Sequence, residues 1–353
     1  MELNDFIKKL NNSKDKAYLS AERKKAIRGR ILYLINLSEK PKVRTASFFF
    51  PILRPMPIMA GVLALVLAGG TISFAAEGSL PGDILYPVKI KINENLIAAV
   101  KFTPEDKASW EVDKTERRLT EASTLISKGS TNSAAKEEVE TSFDNSSNQA
   151  QDGIKSLENE GNATTAAEIA AKLEAILKVH QQILNAVKDG QDSTSTVTLE
   201  DKVSDKLAKV EVVKALIQAK IAANTDQKAV SSDAQNGIQK AKDKIYSVRK
   251  FVKNNSDKLS IEATKDANRK LSDADLRVKD AQGKLKDGIS GEAFNSANDA
   301  GEEAQKVQLL MNANISFGIS SGGEGSATMG AVAAPQATST TTSTPPGSNP
   351  AGN

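Results

Sequence analysis

From Thr103 to residue 313, apolar side chains recur every three or four positions, and each run is bounded by a cap, a glycine or a polar break. That spacing places the apolar residues on one face of a helix. Trp110, Thr115, Leu119, Ala122 and Ile126 predict a helix over 104–128. Thr103-Pro104-Glu105-Asp106 opens it with a cap, a first-turn proline and acids at the positive dipole end, and Gly129 closes it. Val139, Phe143, Ser146, Ala150, Ile154 and Leu157 predict a second helix over 132–160, broken by Gly161-Asn162. A third, over 163–189, carries Ile169, Leu173, Ile176, His180, Ile183 and Val187, with Leu177 and Leu184 beside them. After a polar loop at 190–197, four further helices follow over 198–223, 227–254, 258–287 and 291–313.

These stripes are narrow and rich in alanine, and the remaining faces are Lys, Asp, Glu, Asn and Gln. A narrow seam is what antiparallel coiled-coil hairpins and slim bundles bury. Residues 129–313 are therefore expected to form a long-helix bundle. The Gly/Ser/Thr/Pro-rich stretch 314–353 is too small and polar to bury a core, and is expected to be a disordered tail.

A different pattern lies upstream. Pro55 to Ala76 contains no charged residue. About 20 apolar residues in a helix cover the roughly 30 Å hydrocarbon core of a bilayer. A single transmembrane helix is expected over 55–76. A cleaved signal peptide is the rival reading, with Ser73-Phe74-Ala75 or Phe74-Ala75-Ala76 as the cleavage site, but the preceding region and the apolar run are both too long for it. Residues 1–54 form a basic segment: two amphipathic helices, then a juxtamembrane linker interrupted by Pro41 and Pro51.

Charge adds an orientation. Residues 1–76 hold 13 Lys+Arg and 5 Asp+Glu, and the rest of the chain holds 34 and 39. The positive-inside rule then expects a cytoplasmic N-terminus, a plasma (inner) membrane anchor and an extracytoplasmic C-terminal bulk, with lipid as one partner through the span. Aromatics make up 4% of the chain and cysteine is absent, so disulfides, thiolate chemistry and Cys-based zinc sites are excluded. The fold class expected is all-α: an N-terminal helical segment, one spanning helix, then an antiparallel bundle with a disordered tail.

The most specific stretch follows the apolar run. Pro81-Gly82-Asp83 is turn chemistry, with Asp83 placed to cap the segment behind it. Tyr86-Pro87 adds an aromatic anchor and a first-turn proline, and Leu96, Ile97 and Val100 continue an apolar face. Leu80, Pro81, Gly82, Asp83, Leu85, Tyr86, Pro87, Val88, Lys89 and Glu94 together spell L-P-G-D-x-L-Y-P-V-K-x-x-x-x-E. This resembles the signature of an uncharacterised bacterial domain of unknown function, found in single-pass membrane proteins, some of them anti-sigma-factor-like. The resemblance covers about residues 77–128, which are expected to form a helical hairpin pinned by Trp110, the only tryptophan. It implies no catalytic residues. Residues 1–55 lack the His and Cys of the zinc-binding anti-sigma domain.

No residues are expected to be catalytic, cofactor-binding or metal-ligating. His180 is the lone histidine, and it sits on an apolar face where a seam histidine bonded to a neighbour is expected. Glu137-Glu138 and Glu302-Glu303 are expected to be solvated. Phosphate-loop, dinucleotide and nucleophile-elbow motifs are absent, and so is any nucleic-acid signature. The expected function is a membrane-anchored, non-catalytic protein with a helical interaction domain and a protein partner. No cofactor and no small-molecule substrate are expected. A regulatory, anti-sigma-like role is weighed against a structural or adhesive envelope scaffold.

Overall fold

The computed structural model describes residues 74–188, 194–224, 227–322 and 326–329. A helical turn at residues 74–77 leads into the signature segment, which is α1 (Tyr86–Val88), a π-helical turn (Lys89–Asn93) and α2 (Glu94–Ala99). Seven long helices follow: α3 (Pro104–Ser127), α4 (Ser133–Asn159), α5 (Ala163–Lys188), α6 (Thr194–Ala222), α7 (Gln227–Asn254), α8 (Ile261–Lys286) and α9 (Ser290–Phe317). A two-stranded antiparallel hairpin, β1 (Ile319–Gly322) and β2 (Ser326–Met329), closes the described chain, with Ile319 opposite Met329 and Gly322 opposite Ser326.

Local chemistry sets the helix starts. Thr103 Oγ1 accepts from Asp106 N at 3.1 Å, with Pro104, Glu105 and Asp106 in the first turn. Asn132 Oδ1 caps α4 through Ala135 N at 3.1 Å, and Ser260 Oγ caps α8 through Ala263 N at 3.0 Å. The periodic residues then face inward. Every member of the stripes named for α3, α4 and α5 is buried, from Trp110 and Leu119 through Phe143 and Ile154 to Leu173 and Val187. Helices α3 and α4 pack together, as do α5 and α6, while α9 lies against α5, α6, α7 and α8 and joins the two halves.

The close approach of α9 to α6 depends on Gly291. A Cβ there would lie 2.4 Å from the Ile221 carbonyl oxygen and 2.8 Å from Ala222 Cα, both backbone atoms. Gly291→Ala is expected to lower stability by about 1–3 kcal/mol through overpacking. The check is the urea midpoint: an unchanged midpoint would mean that the α6–α9 contact yields freely.

Three expectations are corrected. The fold class loses its spanning helix: among the described residues, no helix is long and apolar enough to cross a membrane. The reason is charge on the outer faces, since even α5 carries Glu168, Lys172, Glu174 and Lys178 within three turns. Residues 55–73 of the expected span, the basic segment 1–54, and the tail beyond residue 329 lie outside the described residues. The expected tail boundary also moves, because α9 continues to Phe317 and Ile319 is only 2% exposed, anchoring β1. Asn314 Nδ2 donates to the Ile319 carbonyl at 2.5 Å and fixes that turn. Finally, α6 begins at Thr194, inside the stretch expected as loop.

Candidate functional site

The signature forms a compact turn and a short, interrupted helix laid on α3. Asp83 N donates to the Leu80 carbonyl at 2.9 Å. Asp83 Oδ2 accepts from Leu80 N at 2.7 Å, so the side chain reaches back to close the turn and not forward to cap α1. Gly82 has φ +94°, a left-handed conformation that disfavours a side chain. Pro81 is buried, Leu80, Leu85 and Val88 are half-buried, and Pro87 occupies the first turn of α1.

The charged members of the signature point inward. Tyr86, Lys89 and Glu94 are buried, together with Arg118 and Glu121 of α3. The Tyr86 hydroxyl donates to Glu121 Oε2 at 3.0 Å and accepts from Arg118 Nη1 at 2.9 Å. Lys89 Nζ pairs with Glu121 Oε1 at 2.6 Å and donates to the Ser79 carbonyl at 3.2 Å. Arg118 Nη2 pairs with Glu94 and lies 3.3 Å from Glu121 Oε1. Two cations thus meet two anions around one phenol, and the group is neutral as a whole. Burial pushes the Tyr86 phenol above its ordinary range, and it raises the Glu94 carboxyl against the opposing pull of Arg118. The π-helical turn begins at Lys89 itself.

This arrangement inverts the helix. With polar groups inward, Ile92, Leu96 and Val100 face outward, 49%, 54% and 49% exposed, and of the apolar face expected of Leu96, Ile97 and Val100 it is Ile97 that is half-buried. Their spacing of four makes a ridge, and Ile84 is exposed nearby in sequence.

An open groove of about 510 Å³ lies on the other side of the segment, lined by Glu77, Leu80, Lys89, Trp110, Glu116 and Arg117 among others. Arg117 stands 5.2 Å over the Trp110 ring and pairs with Glu77. Trp110 is buried as expected, and its Nε1 has no hydrogen-bond partner among the described residues. Burial raises the Glu116 carboxyl.

A second buried ionic group was missed by sequence reasoning. Lys214 of α6 lies 2.9 Å from Glu174 of α5 and pairs with Glu302 of α9. Lys178 bonds to Glu174 at 2.8 Å, and Lys306 to Glu302 at 3.2 Å. Glu302 is therefore buried and paired, whereas Glu137 and Glu138 are exposed as expected. Burial works to raise Glu174, but hydrogen bonds from Lys178 and Lys214 outweigh it and hold the carboxyl below its usual range. Lys214 and Glu302 are 88 positions apart, and adjacent acids on one helix give no sign that one of them turns inward. His180 is buried, yet its Nδ1 finds no partner among the described residues, contrary to the bonded seam histidine expected.

These features define a helical-bundle domain fronted by an ion-paired signature segment. Residues 78–205 match the model of a domain of unknown function, DUF5667, from the signature turn through the first part of α6. No curated protein and no solved structure gives a significant match to the chain.

Proposed function

We propose that this protein is non-catalytic and acts as a helical protein-interaction module, the outward ridge of the signature segment being the surface that meets a regulatory partner. The observation that carries this reading is the inversion of the segment. Its ionisable groups neutralise one another against α3, while Ile92, Leu96 and Val100 are presented to solvent. A contiguous apolar ridge gains nothing in water and marks a contact surface. Lys91 and Asn95 flank it and are exposed, which favours a partner with apolar residues rimmed by acids. The scaffold reading is the alternative, and the buried ionic staple of α5, α6 and α9 supports it.

The test is site-specific photocrosslinking of the full chain in its native cells. A photoreactive residue at Leu96 is expected to give a discrete protein adduct that disappears when Ile92→Asp is added. The same residue at Leu276, which is 60% exposed on α8, serves as control. Equal labelling at both positions would defeat the reading. A signalling or transcription protein in the adduct supports the regulatory version, and an envelope component supports the scaffold.

A further inference from the structure

Helices α5 and α7 run side by side over α9 with an open cleft of about 330 Å³ between them. Polar contacts cross the cleft at two levels. Thr164 Oγ1 donates to Asp233 Oδ2 at 2.8 Å. One turn further along α5 and two turns further along α7, Glu168 receives Lys240 Nζ at 2.7 and 2.8 Å. The partner numbers rise together along both helices, so the two helices run parallel. The next step continues the register to Lys172 and Lys244, both of which line the cleft. Here the ladder places two cations where the step before has an acid and a base.

The two lysines differ in their surroundings. Lys172 pairs with Asp113 of α3. Lys244 is half-buried, bonds to Gln308 Oε1 at 2.6 Å, and forms no ion pair among the described residues. Burial and the neighbouring Lys172 charge hold Lys244 below its ordinary range, with Glu116 opposing. The other carboxylates at the cleft are engaged, Glu168 by Lys240 and Glu302 by Lys214.

Below the lysines the cleft is apolar and shallowly filled. Ala171, Gly237, Ala241, Phe294, Ala297 and Gly301 line it. Nothing lies within 4 Å of a Cβ built on Gly301, and one built on Gly237 would meet the Phe294 ring at 3.6 Å. Phe294 and the alanines are themselves buried, so the open part of the cleft runs past Gly237 and Gly301 above them. An apolar cleft between bundle helices with a few convergent polar groups is the usual form of a small-molecule site, and the volume falls at the small end of roughly 300–1,000 Å³.

We propose that this cleft binds a single-chain amphipathic carboxylate, its head between Lys172 and Lys244 and its alkyl chain along the cleft past Gly237 and Gly301. A cation without an ionic partner supplies the head-group contact, and the apolar floor selects against small hydrophilic acids. The volume suits one medium-length chain and excludes a diacyl lipid.

The test is isothermal titration of the full-length protein with dodecanoate below its micellar range, with dodecanol and acetate as controls. Dodecanoate is expected to bind one site saturably, and both controls much more weakly. Lys244→Gln is expected to weaken dodecanoate about tenfold, the value of one charge-assisted hydrogen bond. Gly237→Leu is expected to weaken it at least as much by filling the cleft. Lys244 lies at the cleft rim, so Lys244→Gln keeps the test valid if Gly237→Leu does not fold, and thermal melting by circular dichroism checks both variants. Absence of saturable binding to the wild type, equal affinity in Lys244→Gln, or equal affinity for dodecanol would overturn the proposal.

Discussion

Replacing Arg118 by methionine is expected to destabilise the signature clasp by about 3–5 kcal/mol, the range for removing one partner of a buried ionic group. The guanidinium bonds to the Tyr86 hydroxyl and pairs with Glu94 and Glu121, and all three partners are buried. Methionine fills much of the same space but leaves a carboxylate excess, with Lys89 facing two acids. A double variant, Arg118→Met with Glu94→Gln, removes one charge of each sign and is expected to recover part of the loss. Trp110 is the only tryptophan and lines the adjacent groove, so its fluorescence in urea reports on the clasp directly. A loss below about 1 kcal/mol, the scale of exposed pairs, would mean that solvent screens this network after all.

The second expected result is an acid limb in the stability of the bundle, set by His180. Burial lowers its pKa from 6.5 to about 4. Between those values the unfolded chain binds the proton and the folded one does not, so stability rises with pH across the window. The contribution is fully present above pH 6.5 and is lost as pH falls toward 4. At 1.36 kcal/mol per pH unit the full loss is about 3 kcal/mol. His180→Leu removes the titration, and because Nδ1 has no partner among the described residues, leucine abandons no hydrogen bond there. Urea denaturation from pH 7.5 to 4 is expected to show a flatter profile for the variant. The lowered carboxyls Glu174, Asp266 and Asp280 titrate in both proteins and cancel in the comparison. Parallel profiles for the two proteins would refute the assignment.

The long helices were legible because their cause is local. A period near 3.6, a Thr-Pro cap and a closing glycine all act within one or two turns, and the stripes from Trp110 to Val187 are buried. The signature motif was legible as a motif but not as a shape. Tyr86 and Glu94 turn inward only because Arg118 and Glu121 wait on α3, 24 to 35 positions away in the hydrogen bonds that join them, and Lys89 pairs with Glu121 in the same way. Read without those partners, Leu96 and Val100 look like a core face, and they are exposed. Lys214 and Glu302 escaped notice for the same reason at greater separation. The uncharged run 55–76 met the length rule for a span, and of that run the described residues include 74–76. The C-terminal hairpin is anchored in part by the buried Ile319, and an isolated aliphatic residue in a Gly/Ser stretch gives no periodicity to read.

The position of α9 has a consequence for synthesis. It is the last long helix of the described chain, and it lies against α5, α6, α7 and α8. A chain emerging from the ribosome can close the α3–α4 and α5–α6 pairs early, but the flanks of α5, α6, α7 and α8 that meet α9 stay open until residue 317 has been made. The Lys214 ammonium likewise waits beside Glu174 for Glu302 to arrive. Translation that stops before Ser290 would release a product with four helices' worth of uncovered seam, a substrate for chaperones or proteases and not a smaller working protein.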